Sequence, residues 1–455
     1  MAWTQQGEYW SRPLDCHDRQ FQVIAEFGKP QGREQAMLMG VVQLQTPDEA
    51  DIDLVSQLRA AWKALRLKHP DIALVLDNDE KRYYPVRDEQ DLEGWCDATF
   101  RVEKVPSSDE VLGEIMPMAA PHATCHWVPA SNQLCLVSSH WRWDCRGIIK
   151  LLHCLLSELA SPTPLPATFD GDEARHLVPS LDVVLGMPDT LEPAWEARAD
   201  ELIASAMSEE NQVTIGLPIS PGRATSLPGN TRRVGIRIAA EQALALRQSC
   251  RKHGVTLTTA VHASIIAETA RVCTTDASKY VAPALFDLRR YCPPPSDGPT
   301  HAASLRMLAL PLTVNAHASW SELAHAIQPI YRQSFDPEKS NMLFVRVPYV
   351  NKVTALLQGL KDMDIHPAQD SEPHLSSLGV IDGQIERAYG DVEVRDVSFM
   401  IQMLTGQVLV YFWSWGGEMR LAASYNEAYY SRDQVDRWLE AVRENLVENL
   451  LGRAD

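Results

Sequence analysis

A histidine closing an apolar run, with an aspartate four positions later, is the feature of this chain best suited to chemistry. The segment is SSHWRWDCRG, residues 138–147, carrying His140 and Asp144. A neutral imidazole at a rigid strand end can take a proton from a bound hydroxyl or amine, because its unperturbed pKa of about 6.5 suits a base working near neutrality. The carboxylate need not touch substrate; held on the turn, it can lock the loop through an arginine and so fix the imidazole. On the residues alone a second reading stands beside this one: a satisfied histidine at the edge of the core, next to a capping aspartate. Spacing by itself selects nothing, since His366 and Asp370 in HPAQD match it too. That copy has Pro367 after the histidine, lies in a polar stretch and reads as a loop coincidence. Cys145, directly after Asp144, reads as packing rather than as a nucleophile, and no GxSxG occurs to supply a serine one. Trp141 and Trp143 fill the variable positions. Rings of that size either pack or narrow a channel so that it selects a flat or hydrophobic acceptor.

The elements around the motif give it a context that HPAQD lacks. TCHWVPASNQLCLVSSHW predicts a hairpin, two β-prone runs bracketing the turn residues PASN, with Leu134, Leu136, Ser138 and His140 on one face. After Gly147, Ile148, Leu151, Leu152, Leu155 and Leu159 form one helical stripe. His140 is thereby delivered by a strand, Asp144 sits on a strand-to-helix turn, and Gly147 permits close packing. Upstream, Val55, Leu58, Trp62 and Leu65 predict a helix that stops near His69, ahead of Pro70. The apolar IALVLD follows at once.

Residues 160–230 are rich in Pro, Gly and acidic side chains, with MPDTLEPAWEARADELIASAMSEE as one helical island. This places a crossover linker at 191–230 between an N-terminal domain, 1–190, and a C-terminal one, 231–455. The second half opens with a strand from RRVGIRI, a helix closed by Gly254 and a further helix behind a threonine-rich cap. KYVAPALFD and SLRMLALPLTV read as strands, and QVLVYFWSW with MRLAASYN as a hairpin around Gly416 and Gly417. The last helix starts at Ser431 with Gln434 completing a capping box, and turns Val435, Trp438, Leu439, Val442 and Leu446 inward.

A chain of 455 residues exceeds what one hydrophobic core usually organises, which agrees with two domains. The net charge of -18 repels phosphate backbones and anionic bilayers, so no nucleic-acid or membrane partner is expected. Nine cysteines without a CxxC pair fit neither a disulfide framework nor a zinc site; reduced thiols, a cytoplasmic protein and no metal are the expectation. No apolar run reaches the roughly 20 residues of a membrane span.

The order of SHWRWDCRG, GVTLTTAVHASIIAETARV, FDLRRYCPPP and SYNEAYYSRDQVDRWLEAVRENL, with the early LRAAWKALRLKHPDIAL, resembles the HxxxD acyltransferase superfamily over roughly residues 40–450. That superfamily includes BAHD acyltransferases, nonribosomal peptide condensation domains and fungal alcohol O-acetyltransferases; the chain looks like the fungal trichothecene O-acetyltransferase type. The resemblance implies an α/β fold of two similar chloramphenicol-acetyltransferase-like domains, mixed sheets flanked by helices, with the active site in a channel between them. It implies His140 as base, Asp144 as structural support and an arginine from FDLRRYC as its partner, Arg289 being chosen over Arg290. Trp141 and Trp143 are the substrate-facing candidates. Two departures stand out: Cys145 occupies a position where the family commonly has glycine, and the plant-type DFGWG is absent, FWSWGG being similar only in letters.

The implied function is acyl transfer, acetyl by preference, from acyl-CoA as co-substrate to a hydroxyl of a small fungal secondary metabolite, by a monomer holding no permanent cofactor. The alternatives are a stand-alone condensation enzyme fed by a carrier protein's thioester, or a cyclase, pericyclic enzyme or binding protein on the same fold. Oxyanion donors are sought around HLSSLG and YFWSW. Basic side chains for CoA phosphates are sought at Arg251, Lys252, Lys352 and Lys361.

Overall fold

A computed structural model describes residues 2–46, 53–208, 213–363 and 370–452. His366 lies outside them. The chain divides into two compact units, each assembled from three segments: residues 1–189, 287–307 and 382–399 form the first, and 190–286, 308–381 and 400–455 the second.

The first unit is organised on a mixed six-stranded sheet, ordered Ala388–Tyr389, Val392–Ile401, Leu38–Gln45, Gln133–Ser138, Thr124–Val128, Phe100–Val102. The expected hairpin is its centre. Thr124–Val128 and Gln133–Ser138 pair antiparallel, Trp127 facing Leu134, around a turn in which Asn132 takes the left-handed conformation that asparagine tolerates. Gln133–Ser138 also pairs antiparallel with Leu38–Gln45, so it is interior and every one of its residues from Leu134 on is buried. The strand then hands the chain to the helix Cys145–Ala160, whose Ile148, Leu151, Leu152, Leu155 and Leu159 are all buried. Gly40 lets this helix approach the sheet: a Cβ there would stand 2.8 Å from an Ile148 methyl. The helix Leu54–Lys68 buries Leu58, Trp62 and Leu65 and ends at His69, one residue before Pro70, whereas Val55, in its first turn, is only half-buried. A smaller antiparallel sheet runs Thr4–Gln6, Tyr9–Pro13, Glu80–Tyr83, Val75–Asp77.

The second unit holds a four-stranded sheet ordered Pro373–Val380, Val408–Trp415, Glu418–Asn426, Thr231–Ile238. Its first pair is parallel and the other two antiparallel. Gly416 and Gly417, at φ 64° and 80°, make the two-residue hairpin turn that requires left-handed backbone at both positions. Lys279–Asp287 and Met307–Asn315 pair separately. The helical island of the sequence is the helix Pro193–Ala206. The helix Ala240–Lys252 is followed by Gly254 at φ 70°, and Thr256 caps Leu257–Val272. The last helix, Arg432–Leu451, is capped by Ser431 and buries all five residues of its expected stripe. Only half of the capping box forms: Ser431 accepts from the Gln434 amide, but the Gln434 side chain donates to the Pro218 carbonyl, 2.7 Å away, because that carbonyl offers a tertiary partner.

Candidate active site

The chain leaves the interior strand at Ser138 and makes one tight turn, Arg142 N–H to Ser139 carbonyl, before the helix begins at Cys145. His140 stands on that turn with 9% of its surface open to solvent. Its ring is stacked on Phe21, centroids 3.8 Å apart and planes 16° from parallel, and its Nδ1 is buried. Burial pushes the imidazole down to about 4, against a weaker upward pull from backbone groups of His140 and Trp143 and the charge of Asp144. The ring is therefore neutral at neutral pH, the state a proton acceptor needs.

Asp144 is buried, and both of its carboxylate oxygens are hydrogen-bonded. One carboxylate oxygen accepts from the Gly147 amide at 2.8 Å, which caps the helix. The other accepts from Arg289 at 2.9 Å and from the Arg306 amide at 2.7 Å. Burial alone would raise its pKa; the Arg289 charge and these bonds hold it below the usual carboxylate range instead. Arg289, 5% exposed, also donates to the Ser304 carbonyl and to Asp287. Arg290 does not reach Asp144 and lies over the ring of Tyr291. Gly147 is required here by the loop 302–304: a Cβ would come within 2.6 Å of the Ala302 carbonyl oxygen and 3.1 Å of that of Ser304. Cys145, at the first helical position, is buried.

The two tryptophans are packed. Trp143 is fully buried, its indole N–H without a partner, and Trp141 is 6% exposed with the Arg142 guanidinium 4.2 Å and the Lys81 ammonium 5.1 Å from its ring. Arg142 is itself a buried brace: it donates to the carbonyls of Leu74 and Pro121, at 2.7 and 2.8 Å, and to the Ser138 hydroxyl. Burial lowers its pKa to about 9. Lys81, buried with Asp18 and Arg12, donates to the Trp141 carbonyl at 2.9 Å. These charges border a cavity of about 10 Å³, also lined by Asp15, Asp71 and Arg306.

Phe21, Asp18, Lys81 and the Arg306 amide thus join a site in which the sequence had marked His140, Asp144 and Arg289. Only the DxxD of Asp15 and Asp18, which forms a capping box, left a local signal. In the second unit Ser377 is bonded to Thr258. Lys352 is held by Glu196 and Asp200, at 3.2 and 2.8 Å. No group of three or more histidine, cysteine or acidic side chains able to hold a metal is found among the described residues.

Likeness to known proteins defines the class: the chain is an acyltransferase. No family model matches it. It is 29% identical to the acetyltransferase pigO of Monascus ruber, over 100% of this chain and 99% of that protein. With the O-acetyltransferase pigM of the same fungus the identity is 28%, over 99% and 87%. A chain of Epichloe uncinata named loline biosynthesis cluster 1 transcription factor lolU1 is 27% identical over 99% and 97%. Among solved structures, the trichothecene 15-O-acetyltransferase TRI3 of Fusarium sporotrichioides superposes with a TM-score of 0.81, covering 99% of this chain and 98% of that one at 15% identity. The condensation domain of the monacolin K polyketide synthase MokA gives 0.62, covering 98% and 97% at 13% identity. The chloramphenicol-acetyltransferase-like fold that the sequence resemblance implied is the fold found.

Proposed function

We propose that this enzyme transfers an acyl group, acetyl by preference, from a CoA thioester to a hydroxyl of a small fungal secondary metabolite, with His140 as general base. The observation that carries the reading is a neutral imidazole on a turn whose neighbouring carboxylate is fully occupied by Arg289, Arg306 and Gly147. Nε2 of His140 takes the hydroxyl proton as the oxygen forms its bond to the thioester carbonyl. The tetrahedral intermediate then expels the thiolate, breaking the C–S bond, and the imidazolium returns the proton to sulfur. Asp144 and Arg289 act by holding the turn, which explains why neither needs to reach a substrate. The named acetyltransferase relatives support acetyl as the group, and the O-acetyltransferase among them supports an oxygen acceptor.

A carrier-protein thioester is the second reading, favoured by the fold shared with a condensation domain. The two donors separate by kinetics. Acetyl-CoA should exceed acetyl-pantetheine at low salt and lose that advantage as phosphate contacts are screened. Equal rates at every salt concentration would remove CoA phosphate recognition, and no transfer from either would favour the carrier-dependent reading or the same-fold cyclase.

A further inference from the structure

Two residues one helical turn apart reach the same spot on the catalytic turn from a distant part of the chain. The helix Cys16–Glu26 begins with a complete capping box, the Asp15 carboxylate accepting from the amides of His17 and Asp18 and the Asp18 carboxylate accepting from the Asp15 amide. That fixes the first turn, and with it the direction of Asp18 and Phe21, which share the helix's buried face at i and i+3. Asp18 binds Lys81 at 2.5 Å and Arg12 at 2.8 Å, all three at most 4% exposed. Lys81 passes the restraint on to the Trp141 carbonyl, while Phe21 lies flat on the imidazole of His140. Adjacent residues of the catalytic turn are thereby fixed from one helix, one through its backbone and the other through its ring.

We propose that Phe21 and the Asp18–Lys81 pair are positioning residues for His140: the pair sets the height of the turn and Phe21 sets the plane of the imidazole and covers one face of it. The proposal rests on His140 being the base. The stack adds a restraint on the plane of the ring to the backbone hydrogen bonds at His140 and Trp143. The Asp144–Arg289 pair holds the turn only from its far end, four residues on.

The test compares Phe21→Leu, which keeps apolar bulk without a stacking face, Phe21→Ala, which also uncovers the ring, and Lys81→Met, which keeps the stem and removes the bond to Trp141. A displaced base loses rate rather than substrate affinity, so kcat for acetyl transfer should fall by about 10-fold in Phe21→Leu and Lys81→Met with KM within about 2-fold. Independently of activity, NMR titration of labelled histidine should show the His140 pKa moving up toward the ordinary value in Phe21→Ala, as water replaces the ring, with Asp144 still the acidic group acting on it. An unchanged His140 titration in Phe21→Ala, or kcat within about 2-fold of the parent in both Phe21→Leu and Lys81→Met, would overturn the proposal. The titration judges the stack even if a fully active His140→Ala enzyme were to refute the base itself.

Discussion

Asp144→Ala tests the division of labour inside the motif, because the structure gives that carboxylate three hydrogen bonds, to Gly147, Arg289 and Arg306. Removing it leaves the buried Arg289 guanidinium, 5% exposed, with the part-exposed Asp287 in place of its buried partner, and leaves the Arg306 amide and the helix N-terminus without their acceptor. Breaking a buried ion pair by deleting one partner costs about 3–5 kcal/mol, and the lost cap about 1 kcal/mol more. At about 2–4 °C per kcal/mol for units of this size, the melting midpoint should fall by about 10 °C or more. Calorimetry on the parent, Asp144→Ala, Arg289→Met and the double variant measures this directly. The double variant should be more stable than Asp144→Ala, because it no longer buries a cation left with the part-exposed Asp287 in place of its buried partner. Activity should drop with stability, since the turn carrying His140 loses its anchor. An Asp144→Ala protein with an unchanged midpoint and lost turnover would refute the structural role and place the carboxylate in the chemistry.

Other outcomes follow from the same geometry. Gly147→Ala should cost about 1–3 kcal/mol by driving a methyl into the Ala302 carbonyl, read as a lowered urea midpoint; no change would mean the 302–304 loop yields freely. Because the base acts in its neutral form, kcat/KM should fall as pH drops through the folded pKa of His140, about 4, and not through the value near 6.5 of an exposed imidazole. A pH profile taken where the protein stays folded, with its acid limb at about 6.5, would show that burial does not tune this ring.

The parts of this molecule legible in the sequence are those whose signal is local. The hairpin 124–138 announces itself by alternation and a turn-forming PASN, the helices 145–160 and 432–451 by an apolar stripe, and the 416–417 turn by paired glycines. His140 and Asp144 were found because such elements flank them. What escaped depends on residues far apart in sequence. Phe21 is 119 positions from the ring it covers, and its local pattern is that of any amphipathic helix. Lys81, in NDEKRYY, looks like a solvated hairpin charge until the fold buries it with Asp18. Arg306 contributes a backbone amide, which no side-chain pattern can advertise. The return of residues 287–307 and 382–399 to the first unit is likewise a matter of topology, and it is what brings Arg289 to Asp144.

The most direct test of the account is the turnover of His140→Ala with acetyl-CoA and a panel of fungal metabolite alcohols, followed as free thiol released. Loss of the base should lower kcat by about 10² to 10⁴ fold while the melting midpoint stays within a few degrees of the parent. Turnover within a few-fold of the parent would contradict general-base catalysis by this residue.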